Sequence, residues 1–283
     1  MKIGEALVQA SEILQDGGVS EFRSEAALLL SLAISRDKIY LITHPEYALT
    51  GEEYARFEGF IHRRANREPF QYISGRQEFF GLEFDVTPDV LIPRPETELL
   101  AERGIEILGR KSGPTAFCEI GVGSGCISVS ILNSVVSSVG LGLDMSDKAI
   151  QVAGRNAQKH GVGDRLKLNL SDVYDVLAGQ KFDLIVSNPP YVPSDDMARL
   201  QAEVRDFEPH EALTGGGDGL SIIRRIVTGA PKFLSPGGHL LMEIGFGQSE
   251  RVLEMFDRQV WAQAVTFPDL QGIPRIVDAK TRN

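Results

Sequence analysis

The fold is decided by one stretch of the chain, Ala116-Phe117-Cys118-Glu119-Ile120-Gly121-Val122-Gly123-Ser124-Gly125-Cys126. Its first half is mostly apolar and predicts a buried strand, and a helical pattern begins directly after the last glycine. Glycines at such a junction let the backbone turn tightly and approach a ligand closely, while the N-terminus of the following helix is directed at that ligand. The stretch therefore predicts an α/β domain with a nucleotide-type binding site at this turn.

Strand and helix patterns alternate outward from this stretch. Strands are predicted at 116–120, 139–144, 166–170, 182–187, 239–244, 264–267 and 273–278. Helices are predicted at 125–133, 147–160 and 219–230. Alternation of this kind is typical of a mostly parallel sheet with helices on both faces. The last two strands lie too close in sequence for a helical crossover, so one strand is expected to run antiparallel.

The first third of the chain has a different pattern and predicts a small helical bundle at 1–68. Apolar residues recur at helical spacing over 3–14 and 21–33. Thr50-Gly51-Glu52-Glu53 has the form of a capping box and predicts a helix that ends just before Pro69. The segment is long enough for a bundle with short loops.

Aromatic and β-branched residues dominate the runs 71–75 and 79–86, which have glycines between them. These runs predict a β-hairpin within a linker at 69–90. The larger domain is then expected at 91–283, with Pro95 in the first turn of its first helix.

Composition and charge exclude several classes of protein. The formal net charge of −10 weighs against a non-specific nucleic-acid binder, because neutralising phosphates needs a basic face. No run approaches the ~20 apolar residues of a membrane span. The first residues do not have the pattern of a targeting signal, so a cytoplasmic location is expected. Cys118 and Cys126 are the only cysteines, and they are expected to be buried, reduced thiols, with no disulfide framework and no metal site.

An acidic residue, Asp144, ends the strand that follows the glycine turn. A carboxylate at that position accepts hydrogen bonds from the two hydroxyls of a ribose. The turn has G-x-G-x-G spacing, with Cys126 at the sixth position of the pyrophosphate fingerprint G-x-G-x-x-G, and no P-loop motif is present. A ligand with a ribose and no phosphate fits these facts, which favours S-adenosylmethionine over NAD. Asp172, just after the next strand, either accepts a hydrogen bond from the adenine amino group or caps a turn.

The run Asn188-Pro189-Pro190-Tyr191 follows a predicted buried strand, at the sheet edge where open α/β folds bind ligands. Proline lacks an N–H but keeps its carbonyl, so the side-chain oxygen of Asn188 and the carbonyl of Pro189 can hold both hydrogens of one –NH₂ group. Such a grip favours the pyramidal nitrogen that a poorly nucleophilic amide needs for methyl transfer. We therefore predict Asn188, Pro189 and Tyr191 as catalytic residues, with Tyr191 as a wall over the planar group. A stiff loop or a polyproline ligand is the alternative interpretation.

The run 188–191 resembles the signature of methyltransferases that act on exocyclic or amide nitrogens. More of the chain resembles one family of them, the protein-(glutamine-N5) methyltransferases that modify peptide chain release factors (the HemK/PrmC family). Further runs carry the likeness: Gln71-Tyr72-Ile73, Leu91 to Glu98, Ser187 to Val192, Phe207-Glu208-Pro209, Gly215-Gly216 with Asp218-Gly219-Leu220, Glu243-Ile244-Gly245, and Asp269-Leu270 with Gly272 and Arg275. Glu119 stands where the family usually has Asp, and Val122 where Thr is common, so one hydroxyl contact to the cofactor is expected to be missing.

This resemblance implies a Rossmann-like class I methyltransferase domain that transfers a methyl group from S-adenosylmethionine to the glutamine in the Gly-Gly-Gln loop of class 1 release factors. It implies that this glutamine binds at Asn188, Pro189, Pro190 and Tyr191. The residues implied in cofactor binding are Gly121, Val122, Gly123, Ser124, Gly125, Asp144, Val173 and Asn188, and Asp172 is a further candidate from its position. The bundle 1–68 is implied to hold the release factor. No nucleic-acid or membrane partner is expected, and a monomer is the expected state, with a dimer left open.

Three rival functions follow from the same motifs. A nucleic-acid amino methyltransferase would also place a planar –NH₂ group at 188–191, but the net charge and the Arg94-Pro95-Glu96-Thr97-Glu98 run count against it. A non-catalytic scaffold that binds S-adenosylmethionine would be expected to lose the 188–191 run, which is intact. A dehydrogenase is disfavoured by the spacing of the glycines.

Overall fold

The structure, a computed structural model, describes residues 1–282 and divides into two compact units. The first unit comprises Met1–Arg76 together with Gln201–Phe207. The second comprises Gln77–Leu200 and the chain from Glu208 onward. Asn283, the last residue of the predicted larger domain, lies outside the described residues.

Eleven α-helices are present in the described part of the chain. In chain order they are α1 (Ile3–Asp16), α2 (Phe22–Ile34), α3 (Lys38–Thr43), α4 (Gly51–Ala65), α5 (Phe70–Ser74), α6 (Glu98–Gly109), α7 (Cys126–Ser134), α8 (Asp147–Lys159), α9 (Ala202–Phe207), α10 (Ser221–Gly229) and α11 (Ser249–Leu253). Short 3₁₀ turns at Pro95–Thr97, Ser194–Arg199, His210–Ala212 and Ala230–Lys232 complete the helical segments. Within residues 1–282 there is no helix with the length and apolar character to cross a membrane.

The first unit is a helical bundle, as its apolar spacing predicts. Helices α1, α2 and α4 bury their apolar stripes in one core. The predicted capping box is confirmed at the start of α4: the N–H of Glu53 donates to Oγ1 of Thr50 at 3.2 Å, and the N–H of Thr50 donates to Oε2 of Glu53 at 2.8 Å. Helix α3 was not predicted, and it is capped by Asp37, which accepts from the N–H of Tyr40 at 2.8 Å.

A buried arginine explains why Gln201–Phe207 belongs to the first unit. Arg64 of α4 is 6% exposed, and its guanidinium forms ion pairs with Glu25 of α2 and, at 3.2 Å, with Glu203 of α9. Arg67 also pairs with Glu203, at 2.6 Å. A buried guanidinium needs such partners because an unpaired charge in the interior is strongly unfavourable. These residues fall within the predicted larger domain 91–283, whereas the structure packs them with the N-terminal helices.

The hairpin consists of β1 (Arg76–Phe79) and β2 (Leu82–Asp85), so the prediction of a strand at 71–75 is wrong. Those residues form α5, which follows Pro69 and ends at Gly75 with φ of +74°. Tyr72 and Ile73 are buried on this single turn, so their apolar character comes from core packing and not from a strand. Between β1 and β2, Phe80 and Gly81 both have positive φ, as a type I′ turn requires.

The second unit contains a seven-stranded sheet in the order β5-β4-β3-β6-β7-β9-β8. Its strands are β3 (Thr115–Ile120), β4 (Ser138–Asp144), β5 (Leu166–Leu170), β6 (Phe182–Ser187), β7 (Leu234–Glu243), β8 (Trp261–Pro268) and β9 (Pro274–Thr281). Pairs from β5 to β7 are parallel, whereas β9 is antiparallel to both of its neighbours. The predicted mostly parallel sheet with one antiparallel strand is confirmed.

The inner strands of the sheet are buried on both faces. Neighbouring residues Leu184 and Ile185 of β6 are fully buried in two different apolar clusters, and so are Leu241 and Leu240 of β7. Burial on both faces produces the continuous apolar runs by which the strands were predicted. Because β3, β4 and β6 are parallel to one another, their carboxyl ends lie together at one edge of the sheet.

Candidate active site

The glycine turn after β3 is held against the end of β4. The N–H groups of Gly121 and Val122 both donate to the carbonyl of Leu143, at 2.8 and 2.9 Å. Gly121 and Gly125 have φ of +73° and +81°, and a Cβ on Gly125 would lie 3.2 Å from the Cβ of Ala153 in α8. Glycine is therefore required here both for the backbone conformation and for the close approach of two helices.

Asp144, the last residue of β4, orients its carboxylate with two backbone hydrogen bonds. Its Oδ2 accepts from the N–H of Gly123 and its Oδ1 accepts from the N–H of Ser146, each at 2.9 Å. Burial raises the pKa of Asp144, and these two bonds oppose that rise. Each oxygen of a carboxylate has two lone pairs, so the group keeps acceptor capacity for further hydroxyls.

A cavity of about 340 Å³ opens at this edge of the sheet. Most of the predicted site residues line it: Gly121, Val122, Gly123, Ser124, Asp144, Asp172, Val173, Asn188, Pro189 and Pro190. Gly125 and Tyr191 are not among its lining residues. The glycine turn and the Asn-Pro-Pro run therefore share one cavity, as their positions at strand ends suggested.

The segment after β5 supplies Asp172 and Val173. Oδ2 of Asp172 forms an ion pair with Arg225 at 2.9 Å, and half of the Asp172 side chain is exposed. Val173 is buried and has φ of +55°, a left-handed conformation that is unfavourable for a β-branched residue. Strain of this kind persists where the surroundings require a particular backbone position, and it is common in walls of ligand sites.

Asn188 lies at the end of β6 and is connected to two residues that the sequence analysis did not single out. Its Nδ2 donates to Oγ1 of Thr97 at 3.1 Å, and Oγ1 of Thr97 donates to Oε2 of Glu243 at 2.7 Å. Oε1 of Glu243 accepts from the hydroxyl of Tyr191 at 3.2 Å. Burial raises the pKa of Glu243, and the bonds from Thr97 and Tyr191 and the charge of Arg275 oppose that rise. The only signal for Thr97 and Glu243 in the sequence is that both fall in runs shared with the family it resembles.

The backbone of the 188–191 run is packed tightly by a glycine loop. A Cβ on Gly219 would lie 2.4 Å from the carbonyl oxygen of Tyr191, and a Cβ on Gly215 would lie 2.7 Å from that of Pro190. Gln248 adds a side-chain clamp: its Nε2 donates to the Tyr191 carbonyl at 2.9 Å while its Oε1 accepts from Gly245 at 2.8 Å. These contacts fix the run without using its own side chains.

The buried carboxylate of Glu208 connects two further runs by which the sequence resembles the family, 91–98 and 207–209. Oε1 of Glu208 accepts from Arg94 at 2.5 Å, and its Oε2 accepts from the N–H of Ile92 at 3.4 Å. Burial raises the pKa of Glu208, and Arg94 opposes that rise. Leu91, Pro93 and Thr97 line the cavity, so this ion pair holds the segment that forms one of its walls.

Glu119 is a titratable group inside the cavity wall. It is 1% exposed, and its Oε2 accepts from both the N–H and the hydroxyl of Ser128, the former at 2.9 Å. Burial raises the pKa of Glu119 from 4.5 to about 8. This carboxyl group therefore titrates near neutral pH, unlike an exposed glutamate.

The two cysteines of the chain lie in the interior. Cys118 and Cys126 are both buried and free, and burial raises the pKa of Cys126 to about 12. Between residues 1 and 282 no group of three or more His, Cys, Asp or Glu side chains is placed to hold a metal ion.

Two family models match the chain. The model described as PrmC N-terminal domain matches residues 5–75, and the model described as methyltransferase domain matches residues 111–260. A release factor glutamine methyltransferase of Geobacter sulfurreducens is 46% identical over 267 residues, covering 94% of this chain and 92% of the relative. A protein of the same name from Cereibacter sphaeroides is 41% identical over 99% of both chains.

The fold is also similar to that of solved methyltransferases. The structure of a T. thermophilus 16S rRNA methyltransferase in complex with S-adenosylmethionine and guanosine has a TM-score of 0.51 to this chain. It is 18% identical, and the match covers 73% of this chain and 50% of that one. A likeness at this identity shows the fold alone.

Proposed function

The chain belongs to the family of release factor glutamine methyltransferases, and from that membership we propose that it methylates the side-chain amide nitrogen (N5) of the glutamine in the Gly-Gly-Gln motif of class 1 peptide chain release factors. The observation that carries the proposal is that Asn188, Pro189 and Pro190 line the same cavity as Asp144 and the glycine turn. The cavity thus offers a carboxylate to a nucleoside and neutral acceptors to an –NH₂ group. A methyl donor and a planar amide can meet in one enclosed space.

S-adenosylmethionine fits the residues of this cavity. The volume of about 340 Å³ is in the range of small-molecule sites, and Asp144 keeps lone pairs for ribose hydroxyls. The residues that we assign to its binding are Gly121, Val122, Gly123, Ser124, Gly125, Asp144, Asp172, Val173 and Asn188. When bound, this cofactor supplies a methyl group on a positively charged sulfur and is left as S-adenosylhomocysteine.

Asn188 and Pro189 hold the substrate nitrogen. The oxygen of the Asn188 side chain and the carbonyl of Pro189 each accept one N–H of the glutamine amide. Pro190 continues the rigid backbone. We assign Tyr191 to the substrate site as the last residue of this run; it does not line the cavity, and its hydroxyl is fixed by Glu243. Since proline has no N–H, no donor of the backbone at 189 or 190 competes with the substrate for these acceptors.

The contribution of these residues to the rate is orientation and electrostatics. An amide nitrogen is a poor nucleophile because its lone pair is delocalised into the carbonyl. Two acceptors that hold the N–H bonds would stabilise the pyramidal nitrogen; with the cofactor bound, the methyl carbon would pass to this nitrogen as its bond to sulfur breaks, and one of the held hydrogens would leave as a proton to water. The nitrogen becomes acidic as its bond to the methyl carbon forms, so no strongly basic side chain is needed beside it.

We assign recognition of the release factor to the helical domain 1–68, with residues 69–90 as its linker to the catalytic domain 91–283. The net charge of −10 supports a protein substrate without a nucleic-acid partner. The residues that line the cavity belong to one compact unit, so the cavity does not need a second copy to complete it, and we propose a monomer. Since release factors act in translation, we place the reaction in the cytoplasm.

The test is mass spectrometry of a purified class 1 release factor after incubation with this protein and S-adenosylmethionine carrying an isotopic methyl label. We expect one added methyl group on the glutamine of Gly-Gly-Gln. A release factor with glutamate in place of that glutamine is the matched control, because glutamate has no N–H for Asn188 and Pro189 to hold. No label on the glutamine, or equal labelling of naked DNA or RNA, would contradict the proposal.

A short Gly-Gly-Gln peptide tests the role of the helical domain. The intact factor should be methylated far faster, since contacts remote from the reacting group raise kcat as well as affinity. Equal rates on the peptide and the factor would contradict recognition by residues 1–68 and leave the methylation itself intact.

A further inference from the structure

The side-chain amide of Asn188 begins a relay of hydrogen bonds that ends at a buried carboxylate. Nδ2 of Asn188 donates to Oγ1 of Thr97 at 3.1 Å, and Oγ1 of Thr97 donates to Oε2 of Glu243 at 2.7 Å. Thr97 and Glu243 are each 2% exposed, so bulk water does not replace these partners. The direction of each bond is therefore decided by the chemistry of the three groups.

With Glu243 ionised, the state favoured by the hydrogen bonds from Thr97 and Tyr191 and by the charge of Arg275, that chemistry allows one direction. A carboxylate only accepts hydrogen bonds, and a threonine hydroxyl has a single hydrogen to donate. Because Thr97 donates this hydrogen to Glu243, its oxygen can only accept from Asn188. The side-chain amide of asparagine has two orientations, or flips, which exchange its oxygen and its nitrogen. The two atoms are nearly equal in size, so packing alone does not distinguish the flips, whereas the relay does. It holds Nδ2 toward Thr97 and leaves Oδ1 for the cavity that Asn188 lines.

We propose that Glu243, acting through Thr97, is a positioning residue that sets the flip of the Asn188 amide. The inference rests on the proposed function, in which Oδ1 of Asn188 accepts an N–H of the substrate amide. In the opposite flip Asn188 turns its own –NH₂ group toward the substrate –NH₂ group, so that donor faces donor and the grip is lost. Glu243 also accepts from the hydroxyl of Tyr191 at 3.2 Å, so one carboxylate orients two side chains of the 188–191 run.

Single substitutions test the direction of the relay. Glu243→Gln keeps the shape of the side chain, but its amide can donate to Thr97 as well as accept from it, so the relay no longer excludes the wrong flip of Asn188. We expect kcat on the release factor to fall by up to about 10²-fold, the scale for losing one preorganised hydrogen bond, while S-adenosylhomocysteine binds as before. Thr97→Ser keeps the hydroxyl and should retain activity, whereas Thr97→Val has nearly the same shape and should lose it.

A double-variant cycle separates positioning from a merely structural role. Asn188→Asp alone places carboxylates on both sides of a hydroxyl that has one hydrogen, so one bond of the relay is lost. Combined with Glu243→Gln, the residue at 243 donates to Thr97, and Thr97 donates to a carboxylate that offers an oxygen to the cavity in either flip. The double variant should therefore be more active than the product of the two single losses, whereas independent effects would multiply.

The outcomes distinguish the inference from the proposed function. Wild-type kcat in Glu243→Gln, or losses that multiply in the double variant, would overturn the inference. A wild-type protein that leaves the release factor unlabelled in the same assay would overturn the proposed function instead. If thermal unfolding shows that Glu243→Gln does not fold, the comparison of Thr97→Val with Thr97→Ser tests the inference instead. Equal kcat in these two variants would overturn it.

Discussion

Replacing Asp144 by alanine is the most direct test of how this protein holds its cofactor. The carboxylate is fixed by two backbone donors, the N–H groups of Gly123 and Ser146, each at 2.9 Å. Alanine removes these bonds together with the lone pairs that we assign to the ribose. The variant should therefore lose affinity for S-adenosylhomocysteine without losing its fold, because the sheet around Asp144 is held by apolar packing on both faces.

The magnitude follows from the charge on the acceptor. Hydrogen bonds to charged groups contribute about 1.5–3 kcal/mol, and every 1.4 kcal/mol changes a dissociation constant tenfold. We therefore expect Asp144→Ala to weaken binding roughly 10- to 150-fold. Asp144→Asn should also weaken it, because both carboxylate oxygens already face backbone N–H groups and the amide nitrogen of asparagine must oppose one of them.

Calorimetric titration with S-adenosylhomocysteine measures this loss, and thermal unfolding of the same samples checks the fold. Asp147→Ala is the matched control, since Asp147 is also acidic and lies three residues further along, but its carboxylate accepts from Gln151 and it does not line the cavity. Its removal should leave the affinity unchanged. Wild-type affinity in Asp144→Ala, or tight binding of NAD by the wild-type protein, would refute the assignment.

Three further predictions concern other parts of the second unit. Asn188→Ala should lower kcat roughly 10²- to 10³-fold in the methylation assay with its circular dichroism unchanged, and near-normal turnover would show that another group orients the nitrogen. Gly219→Ala should destabilise the protein by roughly 1–3 kcal/mol in denaturant unfolding, because its Cβ would lie 2.4 Å from the Tyr191 oxygen. Gly161→Ala, also at positive φ but in open space, should cost less, and equal losses would argue against the clash. Burial raises the pKa of Glu119 to about 8, so the folded state keeps a proton that the unfolded state loses, and stability should fall as pH rises from 4.5 to about 8. Asp144, Glu208 and Glu243 also have raised pKa values and contribute in the same direction, so Glu119→Gln should reduce that fall in thermal unfolding, and an unchanged slope would contradict the assignment.

The inner strands could be predicted because burial on both faces gives them continuous apolar sequences. The predicted strand 182–187 coincides with β6, whereas β5, at 166–170 as predicted, is an edge strand in which only Leu166 is buried and leucines alternate with polar residues. The bounds of β7 were less predictable: it begins at Leu234, ahead of the predicted 239, and passes through Pro236 and two glycines. Its pairing with β6 is irregular there, which is where a proline can be accommodated in a sheet.

Two errors in the first unit have a common cause. The run 71–75 and helix α3 are each about one turn long, too short for apolar periodicity to separate helix from strand or loop. The conformation of such short segments is determined by the residues at their ends, namely Asp37 before α3 and the left-handed Gly75 after α5. The membership of Gln201–Phe207 in this unit could not be predicted either, because it depends on Arg64 meeting a glutamate 139 residues away.

The sequence locates the chemical centre but does not orient it. Asn188 is recognisable because two prolines follow a buried strand, and that pattern is local. The bond between Thr97 and Glu243 spans 146 residues, and no periodicity or motif spacing connects them. Yet an asparagine whose amide is free to flip offers a donor and an acceptor equally, so the run 188–191 alone does not define which group the substrate meets. The acceptor becomes defined only when the fold brings a carboxylate, which cannot donate, to the far side of Thr97.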